Sequence, residues 1–321
     1  MPFTISDLEL KTDLPDIPDT IPVAVLASPC AKERSGSARR LAEILDLEVA
    51  GTVDVPHGYA VGGSHGQVEV FTASGAIRAR NTDRLSAYPD ERRKWADAKL
   101  GDDGFQLGKR STEQLTRSAM EILERSELRD NWADLDVVLG QWALLDEKGN
   151  ELESGPGRAT VRLSYAAEGI PLIGPGAKTH LHFDPDEEGA GGLLARFFHV
   201  HRAVEASTDV ATQSLEEAFE PLLTQSWAGL EVDPSSARLS ITSAKLGLLA
   251  LPADVAQGFA APALAVEGQL AGAVAADGRE LTVGFGQYVA LAHPKSLASS
   301  GLATSGPLVH GEVVRRRGKG E

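Results

Sequence analysis

Strand-type alternation is the feature that most constrains this chain. Between Leu135 and Val204 lie "LDVVLGQWALL", "RATVRLSYAA", "AKTHLHF" and "ARFFHVHRAV", in which apolar and polar residues trade places with a period near two. That period buries one face of a strand and wets the other. "DEKGNE" separates the first two segments and "DPDEEGAGG" the last two, both rich in turn-forming residues. Before them, Ser111 opens a helix with the capping-box spacing S-x-x-Q ending at Gln114, and Leu115, Ala119, Ile122 and Leu123 supply its apolar stripe.

The order then recurs. "ATQSLEEAFEPLLTQSW" places Leu215, Ala218, Phe219, Leu222 and Leu223 on one helical face. Strands follow at "ARLSITSAKLGLLAL", "ALAVEGQLAGAV", "ELTVGFGQYVALA" and "PLVHGEVVRR", with Asp277-Gly278 as a tight-turn dipeptide. Upstream, an acidic, Pro-punctuated arm precedes the strand "IPVAVLA", a short helix in "SGSARRLAEILDL", and a β-hairpin, "GQVEVFTASGAIRAR", turning at Ser74-Gly75. The expected fold class is α+β, as tandem units of one helix packed on an antiparallel sheet meander. The expected divisions are an arm over 1–20, a small α+β domain over 21–105, and helix-plus-sheet domains over 106–206 and 207–321.

A net charge of -15 opposes nucleic acid or an anionic membrane surface as partner, since both select a basic face. The short basic run Arg315, Arg316, Arg317 and Lys319 reads as a solvated tail. A single cysteine, Cys30, excludes an internal disulfide framework and any Cys-rich zinc site, and reads as an inert buried thiol. No secretion signal and no membrane-spanning apolar run is visible, so a soluble chain in a reducing, cytoplasmic setting is expected.

The histidines carry the one candidate metal chemistry. On a strand, His180, His182 and Asp184 share a face, and His199 and His201 share a face on the next. If those strands pair in a favourable register, four imidazoles meet in a set suited to a divalent transition metal. The alternative makes the histidines a solvated row, with Leu181, Phe183, Phe198 and Val200 facing inward.

Other motifs lack the context their chemistry needs. "GGSHG" matches G-x-S-x-G, but Ser64 is followed by the strand-like "QVEVF", which makes Ser64 and His65 hairpin-loop residues. "GAGG" lacks the Lys and Ser/Thr of a phosphate loop, and "DPDEE" lacks the ligand spacing of an EF-hand. Gly174, His180, His182 and Glu187 fit the opening of a cupin motif, but Leu194 stands where its closing glycine belongs.

"RLSYAAEGIPLIGPGAKTHLHF", with Tyr165, Gly169, Ile170, Pro171, Leu172 and Gly174, resembles the core phrase of the propeptide-type domains known as PepSY and FTP. "SAKLGLLALP" with "PALAVEGQL" resembles the second half of tandem versions, and "VEVFTASGAIRAR" the hairpin that precedes them. The resemblance implies a binding, inhibitory or folding-assisting scaffold. No "HExxH" zinc helix accompanies it. Together these features point to a non-enzymatic protein that engages a protein or peptide partner and needs no cofactor, with a metal-binding role through His180, His182, His199 and His201 as the alternative.

Overall fold

Alternating segments make strands the dominant element, 49% of the chain against 18% helix. The computed structural model describes residues 3–27, 34–85, 94–102, 104–189, 191–227, 230–233, 235–302 and 311–312. Cys30 and the basic run 315–319 lie outside them. In chain order, β1 (Leu8–Leu10) and β2 (Thr20–Leu26) lead to α1 (Arg34–Ile44), then β3 (Gly51–Val55), β4 (Gly58–Gly63), β5 (Gly66–Phe71) and β6 (Ile77–Asn81). A small hairpin, β7 (Lys99–Gly101) and β8 (Gly104–Gln106), precedes α2 (Lys109–Arg125) and the long pair β9 (Asp134–Leu145) and β10 (Glu151–Ser164). Next come β11 (Ala166–Ala167), β12 (Ile170–Ile173), β13 (Lys178–Pro185), β14 (Gly192–Val200), β15 (Val204–Ala211) and α3 (Leu215–Thr224). β16 (Leu230–Glu231), β17 (Arg238–Leu249), β18 (Phe259–Ala260), β19 (Pro262–Ala275), β20 (Glu280–Ala290), α4 (Pro294–Ser299) and β21 (Gly311–Glu312) follow.

The expected tandem α+β units do not form; the protein is mostly β, built on large sheets. One eight-stranded sheet runs β3-β4-β5-β6-β14-β13-β10-β9. It joins strands from before and after α2 because β6 and β14 pair edge to edge, Ile77 to Arg80 against His199 to Arg196. An unpaired edge strand leaves a row of backbone groups open, and this pairing closes two such edges at once. The second eight-stranded sheet follows β11-β12-β17-β19-β20-β21, with β1 on β17 and β16 on β19. A three-stranded sheet, β15-β2-β18, draws together segments far apart in sequence.

On the first sheet, direct pairing produces a continuous apolar row: Val137, Val161, Leu181, Phe197, Ala79 and Val68. Residues directly opposite one another share a face. Both α1, through Ala38, Leu41 and Ala42, and α2, through Leu115, Ala119 and Leu123, pack into this core, joined by Leu45 just past the end of α1. A single face therefore serves two helices, which the idea of one helix per meander does not contain. A second core gathers Phe219 and Leu222 of α3 with Leu239, Leu264, Val266 and Phe285. Phe3 of the N-terminal arm is buried in it.

Local chemistry explains several departures. Ser111 is buried inside α2 rather than capping it; the helix starts after Gly108, and Asp97 accepts hydrogen bonds from the Ser111 amide and hydroxyl. A carboxylate from outside thus does the work expected of the capping box. By contrast, Ser214 caps α3 with Glu217 in a reciprocal box. The hairpins at Ser74-Gly75 and Asp277-Gly278 form as expected, with Gly75 and Gly278 at positive φ.

Between β10 and β13 the chain crosses to the second sheet, where β12 pairs in parallel with β17, and then returns. Gly174 and Gly176 make that crossing possible. Gly174 sits at φ +99°, and a Cβ there would lie 2.6 Å from the Ala250 carbonyl oxygen. A Cβ on Gly176 would collide with the Leu251 carbonyl oxygen, while its amide bonds the Ala250 carbonyl at 3.1 Å. Gly176→Ala is expected to cost about 1–3 kcal/mol, the range for overpacking against backbone. Gly286→Ala, whose Cβ would have 4.0 Å of clearance, serves as the control. Urea denaturation of both variants checks this, and equal midpoints would contradict it.

Candidate functional site

The face of the first sheet turned away from α1 and α2 carries its polar residues. The pairing ladder aligns Thr160, His182, Arg196, Arg80 and Gln67 in one row across β10, β13, β14, β6 and β5. The adjacent row runs Asp136, Arg162, His180, Phe198, Arg78 and Glu69. Basic side chains from strands distant in sequence therefore share a single surface.

Some of this charge is internally balanced. Arg78 donates to the buried Glu69 carboxylate, which also contacts His57 Nε2 at 3.1 Å. Burial works against that carboxylate, but donors from Arg78 and Gln67 hold it below the usual range. Arg158 pairs with Asp184 at 2.8 Å. Arg80, Arg162 and Arg196 are exposed, and among the described residues their guanidinium groups make no ion pair. Lys178 lies over the Phe198 ring, 5.9 Å from its centroid.

His180 and His182 lie between these cations, edge to face with centroids 6.1 Å apart. His182 Nδ1 is 3.0 Å from the Thr160 hydroxyl. Burial, with Lys178 and Arg162 nearby, pushes the His180 imidazole down to about 4. Burial, with Arg196, Arg158 and Arg162 around it, does the same to His182. Both rings are neutral at physiological pH. The face thus combines fixed positive charge from arginine with neutral imidazoles that donate or accept a hydrogen bond, a combination suited to carboxylate-bearing ligands.

His199 and His201 belong elsewhere. Because His199 pairs directly with Thr179, its ring points to the helix-covered side, opposite His180 and His182. It is fully buried there. Its Nδ1 is 2.8 Å from the Thr179 hydroxyl, which is 2.7 Å from the Tyr165 hydroxyl. His199 Nε2 lies 3.3 Å and His201 Nδ1 3.1 Å from Asp130 Oδ2, and His201 stacks on Tyr165 at 4.1 Å. Nε2 and Oδ2 are buried and misaligned for a hydrogen bond, so their contact is electrostatic. Burial, only partly offset by Asp130, pushes His199 down to about 3. Burial works against the Asp130 carboxylate, yet His201 and His199 hold it below the usual range. Hydroxyl, imidazole and carboxylate form a chain here, but Thr179 is wholly enclosed and Tyr165 only 2% exposed, so no substrate reaches the hydroxyls.

The four sequence-predicted histidines therefore form two separate pairs on opposite faces. Among the described residues, no group of three or more His, Cys, Asp or Glu is placed to hold a metal ion. The expected inward row is also altered: Leu181 and Phe183 face the core, but Phe198 shares the face of His180. Phe198 packs near Val200 and Ala253 instead, beneath a loop held by Arg202 through the carbonyls of Leu251, Pro252 and Val255. Ser64 and His65 occupy the β4–β5 turn, with His65 2.7 Å from Asp83. Asp186 and Gly191 close the β13–β14 turn. Arginines at the solvent phase of "AIRARN", "ATVRL" and "LARFF" were the sequence signal for the cationic face, but only strand pairing unites them.

No protein-family model matches the chain, and no curated protein does. Among solved structures, it is similar to an uncharacterised protein from Eubacterium rectale, with 11% identity, 87% of this chain and 88% of that one covered, and a TM-score of 0.49. Among the described residues no helix is long and apolar enough to cross a membrane.

The depressed histidines set an acid limit on the fold. His180, His182 and His199 have an ordinary value of 6.5 when unfolded and values of about 4, 4 and 3 when folded. The unfolded chain therefore binds protons the folded chain refuses. Their contribution is complete above pH 6.5 and is lost as pH falls toward 4 for His180 and His182 and toward 3 for His199. Fully buried His199 contributes roughly 1 kcal/mol per pH unit, and the partly exposed pair less. Urea denaturation at pH 7.5, 6 and 5 should show falling stability, and a flat profile would refute this assignment.

Proposed function

We propose that this chain is a non-enzymatic binding protein whose recognition surface is the cationic sheet face, and that its partner presents an acidic protein or peptide segment. The observation that carries this reading is the set of Arg80, Arg162 and Arg196, without an ion pair among the described residues, around His180 and His182 on a face the helices leave uncovered. Three guanidinium groups with no ion pair among the described residues, on a chain of net charge -15, form a local exception to its field. That field repels a long polyanion such as nucleic acid, while the face attracts a short acidic segment by direct charge pairing. The enclosed Thr179–His199–Asp130 chain supports binding over turnover. The resemblance of Tyr165 to Gly174 to propeptide-type domains points the same way.

The test is anisotropy of a labelled oligo-glutamate peptide against its oligo-glutamine counterpart. Only the acidic peptide should bind, and Arg162→Glu with Arg196→Glu should weaken it at least about tenfold, the cost of losing charge-assisted pairs. Equal binding of both peptides would overturn the reading.

Binding should also tighten on acidification. A bound carboxylate raises the pKa of His180 and His182 from about 4, so complex formation takes up protons. Affinity therefore rises between pH 7 and 5, and isothermal titration in buffers of different ionisation enthalpy counts the protons. Zero uptake throughout that range would contradict the placement of the imidazoles at the interface.

A further inference from the structure

The β9–β10 hairpin outruns the sheet that holds it. β13 pairs with β10 only from Ala159 to Ser164, and β9 is the last strand of the sheet. The β9–β10 ladder continues from Gln141–Pro156 out to Leu145–Glu151. A register shift between Pro156 and Ala159 marks the root, where Trp95 Nε1 donates to the Gly157 carbonyl at 2.9 Å. Beyond it a two-stranded ribbon projects, which at 3.3 Å per residue reaches roughly 15–20 Å.

The ribbon is ordered at its tip, and β8 lies beside its root, where Gly104 faces the Gln141 side chain. Asp146 Oδ1 accepts from the amides of Lys148 and Asn150, both at 2.8 Å, and Gly149 takes φ +83°. The Trp142 ring lies against Gly155 on the opposite strand. Yet Leu144, Leu145 and Leu152 are 48%, 55% and 65% exposed. Isolated two-stranded ribbons are marginal in water; here Leu145 sits across from Glu151 on one face and Leu144 across from Glu153 on the other, so each face sets an exposed leucine beside a carboxylate. Glu147, Glu151 and Glu153 are exposed beside them, with no ion pair among the described residues.

We infer that this ribbon is the acidic segment which the cationic face accepts, supplied by a second copy of the chain. The inference rests on the binding reading above and names its partner. The ribbon cannot fold onto its own face, because β10 runs unbroken from the ribbon into the sheet that bears the face. A two-fold pair satisfies both requirements at once: each copy's ribbon lays one face, a glutamate beside a leucine, across the other's Arg80, Arg162 and Arg196 and the imidazole edges between them.

Sedimentation of the full chain tests this, with two charge-reversed variants. A dimer is expected at low salt, and its dissociation constant should rise at least about tenfold in 0.5 M salt. Arg162→Glu with Arg196→Glu reverses the face, and Glu151→Arg with Glu153→Arg reverses the ribbon. Each variant alone should be monomeric, and an equimolar mixture should dimerise again, since both contacts are then matched. That recovery also shows that neither variant is misfolded. The ribbon-reversed variant should still bind oligo-glutamate. A chain monomeric at all concentrations that nevertheless binds oligo-glutamate at its face overturns the second-copy inference and leaves the binding reading intact. Failure of oligo-glutamate to bind the ribbon-reversed monomer overturns the binding reading, and a dimer indifferent to both reversals overturns the inference.

Discussion

The pairing of β6 with β14 is the contact on which the rest of the first sheet depends. It sets Ala79 against Phe197 and Ile77 against His199 on one side, and Arg80 against Arg196 and Arg78 against Phe198 on the other. Without it the N-terminal hairpins and the strands after α2 would be separate meanders, each exposing a long edge. With it, one apolar surface spans both segments and supports two helices. The same four pairs assemble the cationic face, because fixing the inner row of a strand fixes the outer row as well.

Register also decides what becomes of the histidines. Thr179 opposite His199 carries a hydroxyl into the core beside the imidazole, and Tyr165 supplies the next hydroxyl. A buried imidazole without partners is costly, and this chain satisfies one ring nitrogen while Asp130 faces the other. One residue along, His180 and His182 point the opposite way into a field of arginines. The identical spacing H-x-H thus yields a structural pair on one strand and a surface pair on its neighbour.

Much of this was legible in the sequence at the level of single elements. β2, β9, β10, β13, β14, β17, β19 and β20, the stripe of α3 and the turns at Gly75 and Gly278 all follow from alternation, helical spacing and turn chemistry. What alternation cannot supply is which strand lies beside which, and so the long-range β6–β14 and β12–β17 pairings were invisible, and with them the fold class. Alternation cannot give the inward phase of β14, because Phe198 and Val200 are apolar for a different reason, their contact with Ala253 from the second half of the chain. Ser111 misled for a similar reason: its hydroxyl serves Asp97, a partner fourteen residues upstream that no local motif specifies. The cationic face was unreadable from any one segment, since its arginines come from β6, β10 and β14.

The cost of that face argues for its use. Arg80 lies directly across from Arg196, and like charges in opposed positions on a sheet destabilise it. Arg162 and Arg196 also add to the burial that depresses His180 and His182, so the face loads the fold with both repulsion and acid sensitivity. Glu69 and Asp184 relieve Arg78 and Arg158, but no carboxylate among the described residues pairs with Arg80, Arg162 or Arg196. An acidic segment lying across these rows would remove the repulsion and raise the imidazole pKa values together. Occupancy would thus stabilise the sheet most where the empty face weakens it, and by linkage the fold and the complex would resist acid better than the fold alone.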